Sequence, residues 1–575
     1  MPQPKKHPYQ ADMPYAKQPL KAIYVFQRLF TTIVMCIWWA IYYSIIPRRH
    51  RPRPSWTIKC ILAVNFTRRI YKVTELAGVT WGTCDPDKEC SEQTLKHTRF
   101  EWVDPMPQGL RTGIIADPQV PFRRVGCFVW LKERPKFHCN NSDSDPSPPS
   151  QDGLMEFQAS AGDLPEIGIF MHGGGYCHMS AHEKAPTSQI PARLVKDGAF
   201  KEIHSIEYRL LQHAPFPAAV QDAATVYAHL VRRHQRPGGR LLVGGRTLSS
   251  QSCVNGNCIY RNGDLDFLDV DGRSRERAKH RKENEEINAR VSEAAANVGC
   301  KIILIGDSAG GNLVLALARW IRDEGVLPPP DGLLLLSPSC DPSHAFPETP
   351  SSYLPRPHAS TDYLVDTPEP RALLQRTFLG HNPLETMHSP YVSPASMRVL
   401  TAFYGDVFAS SVADLTIAQL DDDDHREFLR TMVSAPATPV PIASRTNTST
   451  SLGPFFVGPG PPAMNASAST SGSGEDTDGG AGAWRSPTSL AQPVIASPRG
   501  LSLFSEFPKT CVVLGDAERL EREVAKLVGA MERDGTEVQA IWVKDAPHDV
   551  LQMKWWDERV RDGVWAQIEE WIAGV

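Results

Sequence analysis

The chain has 575 residues, 41 % of them hydrophobic and 22 % charged, with a formal net charge of −4. One hydrophobic core ordinarily stops growing at roughly 250 to 300 residues, so this length calls for several domains or for one domain with large insertions. The small net charge, with no segment that interleaves basic and aromatic side chains, excludes nucleic acid as an expected partner. Twelve cysteines without a CxxC or paired histidines at ligand spacing exclude a dense disulfide framework and a metal site, and leave Cys84 with Cys90 and Cys253 with Cys258 as the close pairs.

In chain order, a tail (1–21) leads into an apolar segment (22–46). Within it "LFTTIVMCIWWAIYYSII", Leu29 to Ile46, is an uncharged run of 18 residues. Ala22 to Phe26 extend it to the length that spans ~30 Å of hydrocarbon. Trp38, Trp39, Tyr42 and Tyr43 gather near one end, where amphipathic rings favour the membrane interface, and no small-residue cleavage site follows. The segment is therefore read as a single-pass transmembrane anchor, assigned to the endoplasmic reticulum. The alternative is an apolar helix packed on the globular part or lying in the interface. Arg48, Arg49, Arg51 and Arg53 after the span are opposed by Lys5, Lys6, Lys17, Lys21 and Arg28 before it, so the orientation stays open. Sequons at Asn65, Asn140, Asn447 and Asn465 would suit a lumenal domain.

Residues 47–159 read as linker, cap material and first strands, with "RVGCFVWLKER" at 124–134 as a strand before a polar, Pro-rich loop. The first core part (160–340) alternates strands and helices. "EIGIFMHGGGY" ends a strand in three glycines, "FKEIHSIEYRL" is a strand, and "PFPAAVQDAATVYAHLVRR" repeats apolar residues at helical spacing. An insertion (236–298) carries the charged run "RSRERAKHRKENEEINAR" and reads as exposed, ending in a solvated helix. "KIILIGDSAGG" and "GLLLLSPS" then resume the alternation. Residues 341–433 read as a cap, and 434–500, dominated by Ser, Pro, Thr, Gly and Ala, as a disordered low-complexity insertion. The second core part (505–575) holds the strand "TCVVLGDAE", a helix stopped by Gly535, the strand "EVQAIWV" and an amphipathic closing helix. Strands alternating with helices imply a doubly wound, mostly parallel sheet.

The chemistry centres on Ser308. Gly306, Ser308 and Gly310 form a G-x-S-x-G between the apolar strand "KIILI" and the helical "GGNLVLALARWIRDEG", and strand, turn and helix in that order favour a nucleophile elbow over the GDSGG of an all-β protease barrel. The plainer reading is a helix-capping serine. A serine needs a base, and His548 in "VKDAPHDVL" follows the last strand. The acid that orients the base should follow the preceding strand, where both Asp516 and Glu518 stand; a carboxylate left over there would cap the helix. For the oxyanion, "HGGGY" offers the backbone N–H groups of Gly174 and Gly175, and Ala309 offers that of the residue after the nucleophile.

With HGGG, GDSAGG and the intervening "EYRLLQHAPFPAAVQDA", the chain resembles an α/β-hydrolase of the hormone-sensitive-lipase-like family over roughly 160–340 and 505–575. The resemblance implies an α/β-hydrolase fold: a doubly wound, mostly parallel sheet with a cap, large insertions and, here, an N-terminal membrane helix. It assigns Ser308 as nucleophile, His548 as base, Gly174, Gly175 and Ala309 as oxyanion donors, and His172 as support for their loop. Alignment on Leu520 gives the acid as Glu518 where the family usually has Asp, with Asp516 as the alternate. The family's YRLAPE is "YRLLQH" here, so a local contact near Pro215 is missing its carboxylate. The implied function is a membrane-anchored serine carboxylic ester hydrolase, an esterase, lipase or deacetylase. It would act through an acyl-enzyme on lipophilic esters, with membrane lipid as partner and neither cofactor nor metal, and its layout is similar to sterol-acetate deacetylases. The alternative is a catalytically weak ligand-binding or scaffold protein on the same fold at a membrane. A segment as poor in apolar residues as 436–498 buries little, so its removal is expected to leave activity and melting temperature nearly unchanged, as a thermal melt of the deletion variant would show.

Overall fold

In the computed structural model, eight short strands form one sheet. The strands are β1 (Thr98–Val103), β2 (Val125–Leu131), β3 (Glu166–Met171), β4 (Glu202–Glu207), β5 (Lys301–Asp307), β6 (Gly332–Leu336), β7 (Lys509–Gly515) and β8 (Val538–Val543). The structure describes residues 13–132, 164–234, 242–243, 246–247, 299–345, 356–365, 368–405 and 501–575. Most of the 236–298 insertion, the 434–500 segment, the sequons at Asn140, Asn447 and Asn465, and the Cys253–Cys258 pair lie outside them.

The strand order is β1-β2-β4-β3-β5-β6-β7-β8. β2 pairs antiparallel with β1 and β4, and every other neighbouring pair is parallel. A parallel strand covered by helices on both faces must be apolar on both, and β5 is: Ile302 and Leu304 enter one core cluster, Ile303 and Ile305 the other. The helices divide accordingly. Leu230 of α4 (Ala218–Arg233), Leu317 of α5 (Ala309–Glu324) and Leu527 of α8 (Glu521–Arg533) sit in the first cluster. The second takes Ile61 of α2 (Ile58–Ala77), Leu194 of α3 (Gln189–Lys196) and Ile568 of α9 (Glu558–Ala573). Between β6 and β7, α6 (Pro368–Leu379) and α7 (Met397–Tyr404) lie in the segment read as a cap.

The register aligns the carboxyl ends of the central strands: Met171 pairs with Gly306, Asp307 with Leu336, and Val543 with Gly515. The loops that follow, at 172–176, 308, 337–339, 516–518 and 544–549, therefore open at one edge of the sheet, where open α/β sheets place their ligands.

Two features upstream differ in detail from the sequence reading. The apolar segment is a helix, α1 (Leu20–Ile45), beginning two residues before the expected boundary. Residues 58–77, within the stretch read as linker, cap material and first strands, form the helix α2, capped by the Thr57 side chain and ended by Gly78 in the left-handed region. Lys59, Arg68, Arg69 and Lys72 dilute its apolar face enough to hide it in the sequence. Cys84 and Cys90 are free thiols. The sequon at Asn65 falls on α2, its side chain accepting a hydrogen bond from Arg68 at 3.1 Å.

Candidate active site

The turn after β5 explains the glycines around Ser308. Ser308 sits at φ 51°, ψ −116°, a conformation that costs a residue with a Cβ on the order of 1–3 kcal/mol and persists only when the surroundings impose it. They do so by close approach. A Cβ at Gly310 would lie 1.9 Å from the carbonyl oxygen of Met171, so the start of α5 can press against the end of β3 only with glycine there. The Ser308 amide donates to Leu336 O at 2.8 Å, and its carbonyl accepts from Ser339 N at 3.0 Å, which fixes the elbow to the next strand's loop.

His548, 1 % exposed, reaches Ser308 from the loop after β8: its Nε2 lies 2.9 Å from Oγ. On the other side of the ring, Nδ1 lies 3.5 Å from a carboxylate oxygen of Glu518, which is fully buried. Asp516 does not meet the imidazole. Its carboxylate accepts the Asp545 amide at 2.6 Å and lies 4.0 Å from Arg53. Of the two carboxylates the sequence offers after β7, the structure brings Glu518 to His548 and turns Asp516 to the neighbouring loop.

The glycine loop after β3 faces the same space. Gly174 adopts φ +105°, and a Cβ there would stand 2.5 Å from His178 O. Gly174, Gly175 and Ala309 line one pocket with Ser308 and His548. Ala309 opens α5, and first-turn amides have no partner within their own helix. His172 holds the loop from below: its Nδ1 lies 2.8 Å from Gly173 O, its ring stacks on Tyr208 at 4.4 Å, and the Tyr208 hydroxyl donates to His172 O at 2.5 Å. Burial pushes the His172 ring down to about 4, which keeps it neutral near pH 7.

Three further carboxylates stand at the site. Asp307, buried beside Ser308, accepts from Gly173 N at 2.9 Å and from Gln552 Nε2 at 2.7 Å, and so ties the glycine loop, the turn at Ser308 and the His548 loop together. Burial pushes it up to about 7, against the pull of these two bonds. Asp362, from the cap segment, accepts from His548 N at 3.3 Å and Arg519 N at 2.7 Å. Asp549 follows His548 at φ 53°, and this left-handed turn folds its carboxylate back to 3.2 Å from His548 Nε2. Burial favours a neutral imidazole, but the Asp549 and Glu518 carboxylates outweigh it and raise the His548 pKa. Asp362 comes to the site only through the fold, whereas Asp307 and Asp549 adjoin Ser308 and His548 in the sequence and nothing local says which way their carboxylates turn.

The pocket encloses about 1180 Å³, part of it open to solvent. Tyr71 and Thr74 of α2, Leu374 and Phe378 of α6, Tyr176 and Tyr363 line it. Among the described residues no group of His, Cys, Asp and Glu is arranged to hold a metal ion. An acceptor beside a serine hydroxyl, a buried carboxylate behind that acceptor, and a glycine loop opposite can together carry acyl transfer.

Comparison with known proteins bears on the fold. Residues 168–406 match the family model described as alpha/beta hydrolase fold. The core is an α/β-hydrolase fold. A curated relative, the carboxylic ester hydrolase LipN of Mycobacterium tuberculosis, is 31 % identical over 121 residues, which cover 19 % of this chain and 30 % of that protein. The match thus spans less than a third of the curated relative's length. Solved structures include a hormone-sensitive lipase from a metagenome library, with 14 % identity, TM-score 0.38, and 84 % of this chain and 87 % of that one covered. A bacterial heroin esterase has 14 % identity and TM-score 0.38, with 83 % of each chain covered. An esterase of Pyrobaculum calidifontis has 14 % identity and TM-score 0.37, with 82 % of this chain and 84 % of that one covered.

Proposed function

We propose that the protein is a serine carboxylic ester hydrolase working at a membrane on lipophilic esters. The observation that carries this reading is the 2.9 Å approach of His548 Nε2 to Ser308 Oγ on the wall of an aromatic-rich pocket. In the mechanism, His548 takes the Ser308 proton as Oγ attacks the ester carbonyl. The backbone N–H groups of Gly174, Gly175 and Ala309 meet the negative charge that forms on the carbonyl oxygen. His548 then gives its proton to the leaving alcohol, which departs and leaves an acyl-Ser308. Water, deprotonated by His548, attacks that acyl group; the acid leaves and the serine regains its proton. Glu518 holds the ring and stabilises its cation throughout. Burial raises the Glu518 carboxyl, and the attraction of His548 opposes that rise.

The curated relative's ester hydrolase activity supports the reaction class, and the apolar and aromatic lining supports lipophilic acyl or alcohol groups, among which sterol acetates and lipid esters fit the layout. A panel of p-nitrophenyl esters of graded chain length, run on the purified protein and on its Ser308→Ala variant, tests this. Serine-dependent turnover that favours longer chains is expected, and absence of turnover across the panel would sink the reading.

Asp549 makes a further prediction about pH. A general base must be neutral to act, and the Asp549 carboxylate favours the charged imidazole, so kcat/KM should climb with pH through the raised His548 pKa. Asp549→Asn removes that charge, lowers the His548 pKa and moves the rising limb of the kcat/KM profile to lower pH. A profile identical to that of the parent protein would show that Asp549 does not tune the base.

A further inference from the structure

The apolar helix α1 lies against α2, bound near its middle and at Tyr43. Its half-buried and buried positions recur at helical spacing from Lys21 through Tyr24, Arg28, Thr32, Cys36 and Trp39 to Tyr43, one continuous face. At one end the Tyr15 amide donates to Leu76 O of α2 at 2.9 Å. In the middle, the Arg69 guanidinium of α2 donates to Thr32 Oγ1 at 3.0 Å and to Thr31 Oγ1 at 2.9 Å, while Arg28 Nε donates to Arg69 O at 3.3 Å. At the other end Arg51 donates to Tyr43 O at 3.1 Å, and Tyr43 packs on the core cluster that contains Trp56 and Ile61. α1 therefore runs back along α2.

The opposite face is bare and apolar. Ile23, Phe26, Phe30, Ile33, Ile37 and Ile41 are 52–73 % exposed and follow one another at three- and four-residue steps, over about 27 Å at 1.5 Å per residue. α1 contains no acidic residue, and exposed Lys17, Arg48 and Arg49 flank it. By length and composition α1 is sufficient to cross a membrane. Its partner is not. α2 carries Lys59, Arg68, Arg69, Lys72 and Glu75, and its Ile61 and Val64 are fully buried in the catalytic domain. An upright α1 would have to carry those charges into hydrocarbon or abandon the bonds to Arg69, Leu76 and Arg51. A helix lying flat does neither: it buries one apolar face at the level between headgroups and acyl chains, with its basic ends among anionic headgroups.

We propose that α1 is an in-plane membrane helix that seats the protein on an anionic bilayer surface without crossing it. Tyr71, Thr74 and Glu75 of α2, the helix beneath α1, are walls of the Ser308 pocket. The pocket then stands about one helix diameter, roughly 10 Å, from the lipid. Delivery of an ester from the bilayer to Ser308 rests on the hydrolase reading above; the seating of the helix does not.

Sealed microsomes from cells making the full chain, with Lys17→Cys or Arg48→Cys, test the topology. After treatment with a membrane-impermeant maleimide, labelling is read at each position by peptide mass. An in-plane helix gives the same accessibility at both positions, and opposite accessibility overturns the proposal. The purified protein carrying Ile33→Asp with Ile37→Asp should bind phosphatidylcholine vesicles containing phosphatidylserine at least tenfold more weakly than the parent, and keep its kcat/KM on a soluble short-chain ester. Unchanged vesicle binding, with or without loss of a dimer, would overturn the lipid assignment, and with loss of a dimer would make this face an interface between copies. Parent protein inactive on the soluble ester would instead defeat the hydrolase reading and leave both membrane readouts valid.

Discussion

Replacing Ser308 by alanine is expected to lower kcat for ester hydrolysis by a factor on the order of 10⁶, the scale seen when a serine nucleophile is removed from a Ser-His-acid triad. It should also abolish covalent labelling by a fluorophosphonate. The fold should survive, because the elbow is imposed by its neighbours. Gly310 lets α5 close on Met171 O, and the Ser308 amide bonds to Leu336 O whichever side chain it carries. Alanine meets the same backbone strain at φ 51° as serine does, so the substitution adds none. The hydroxyl's side-chain partner among the described residues, His548, keeps Asp549 at 3.2 Å from the same nitrogen. The melting temperature should therefore stay close to that of the parent. Turnover retained within tenfold of the parent, with folding intact, would end the serine hydrolase reading.

How much of this site a sequence can show depends on whether its parts are local. The elbow is legible because its strand, its turn glycines and its helix are contiguous, and each glycine answers a backbone contact that any side chain would block. The HGGG loop is legible because its glycines are contiguous at the end of a strand. Which carboxylate faces His548 is legible only to within two residues, since Asp516 and Glu518 follow the same strand and nothing local says which turns inward. Asp362 lies in the cap segment and Asp549 looks like any loop acid until its left-handed turn is seen. The α2 wall of the pocket was hidden by its own charges. One of those charges, Arg69, also binds α1 through Thr31 and Thr32, a contact that the hydropathy of α1 does not show.

Glu518→Gln is expected to cost on the order of 10⁴ in kcat, by analogy with Asp-to-Asn changes at the acid of other triads, and Asp516→Asn far less. Glutamine keeps the shape of a fully buried side chain but removes the charge that faces Nδ1 at 3.5 Å, so the imidazolium formed in each half-reaction loses its counterion where burial makes a counterion matter most. The remaining carboxylate at the ring, Asp549, cannot take its place. It lies at Nε2, the nitrogen that must exchange protons with Ser308 and the leaving alcohol, so it stabilises the cation without fixing the tautomer that presents a lone pair to the serine. Asp516 serves another task. It is about a quarter exposed, accepts the Asp545 amide and stands 4.0 Å from Arg53, so its loss should loosen the loop that leads to His548 and leave the proton transfers intact. A partly exposed pair of this kind contributes roughly 0–1 kcal/mol. Measuring kcat of both variants on one short-chain ester separates the two. A crippled Asp516→Asn beside a nearly normal Glu518→Gln would move the acid by two residues, and two nearly normal variants would mean that the triad itself has been misplaced.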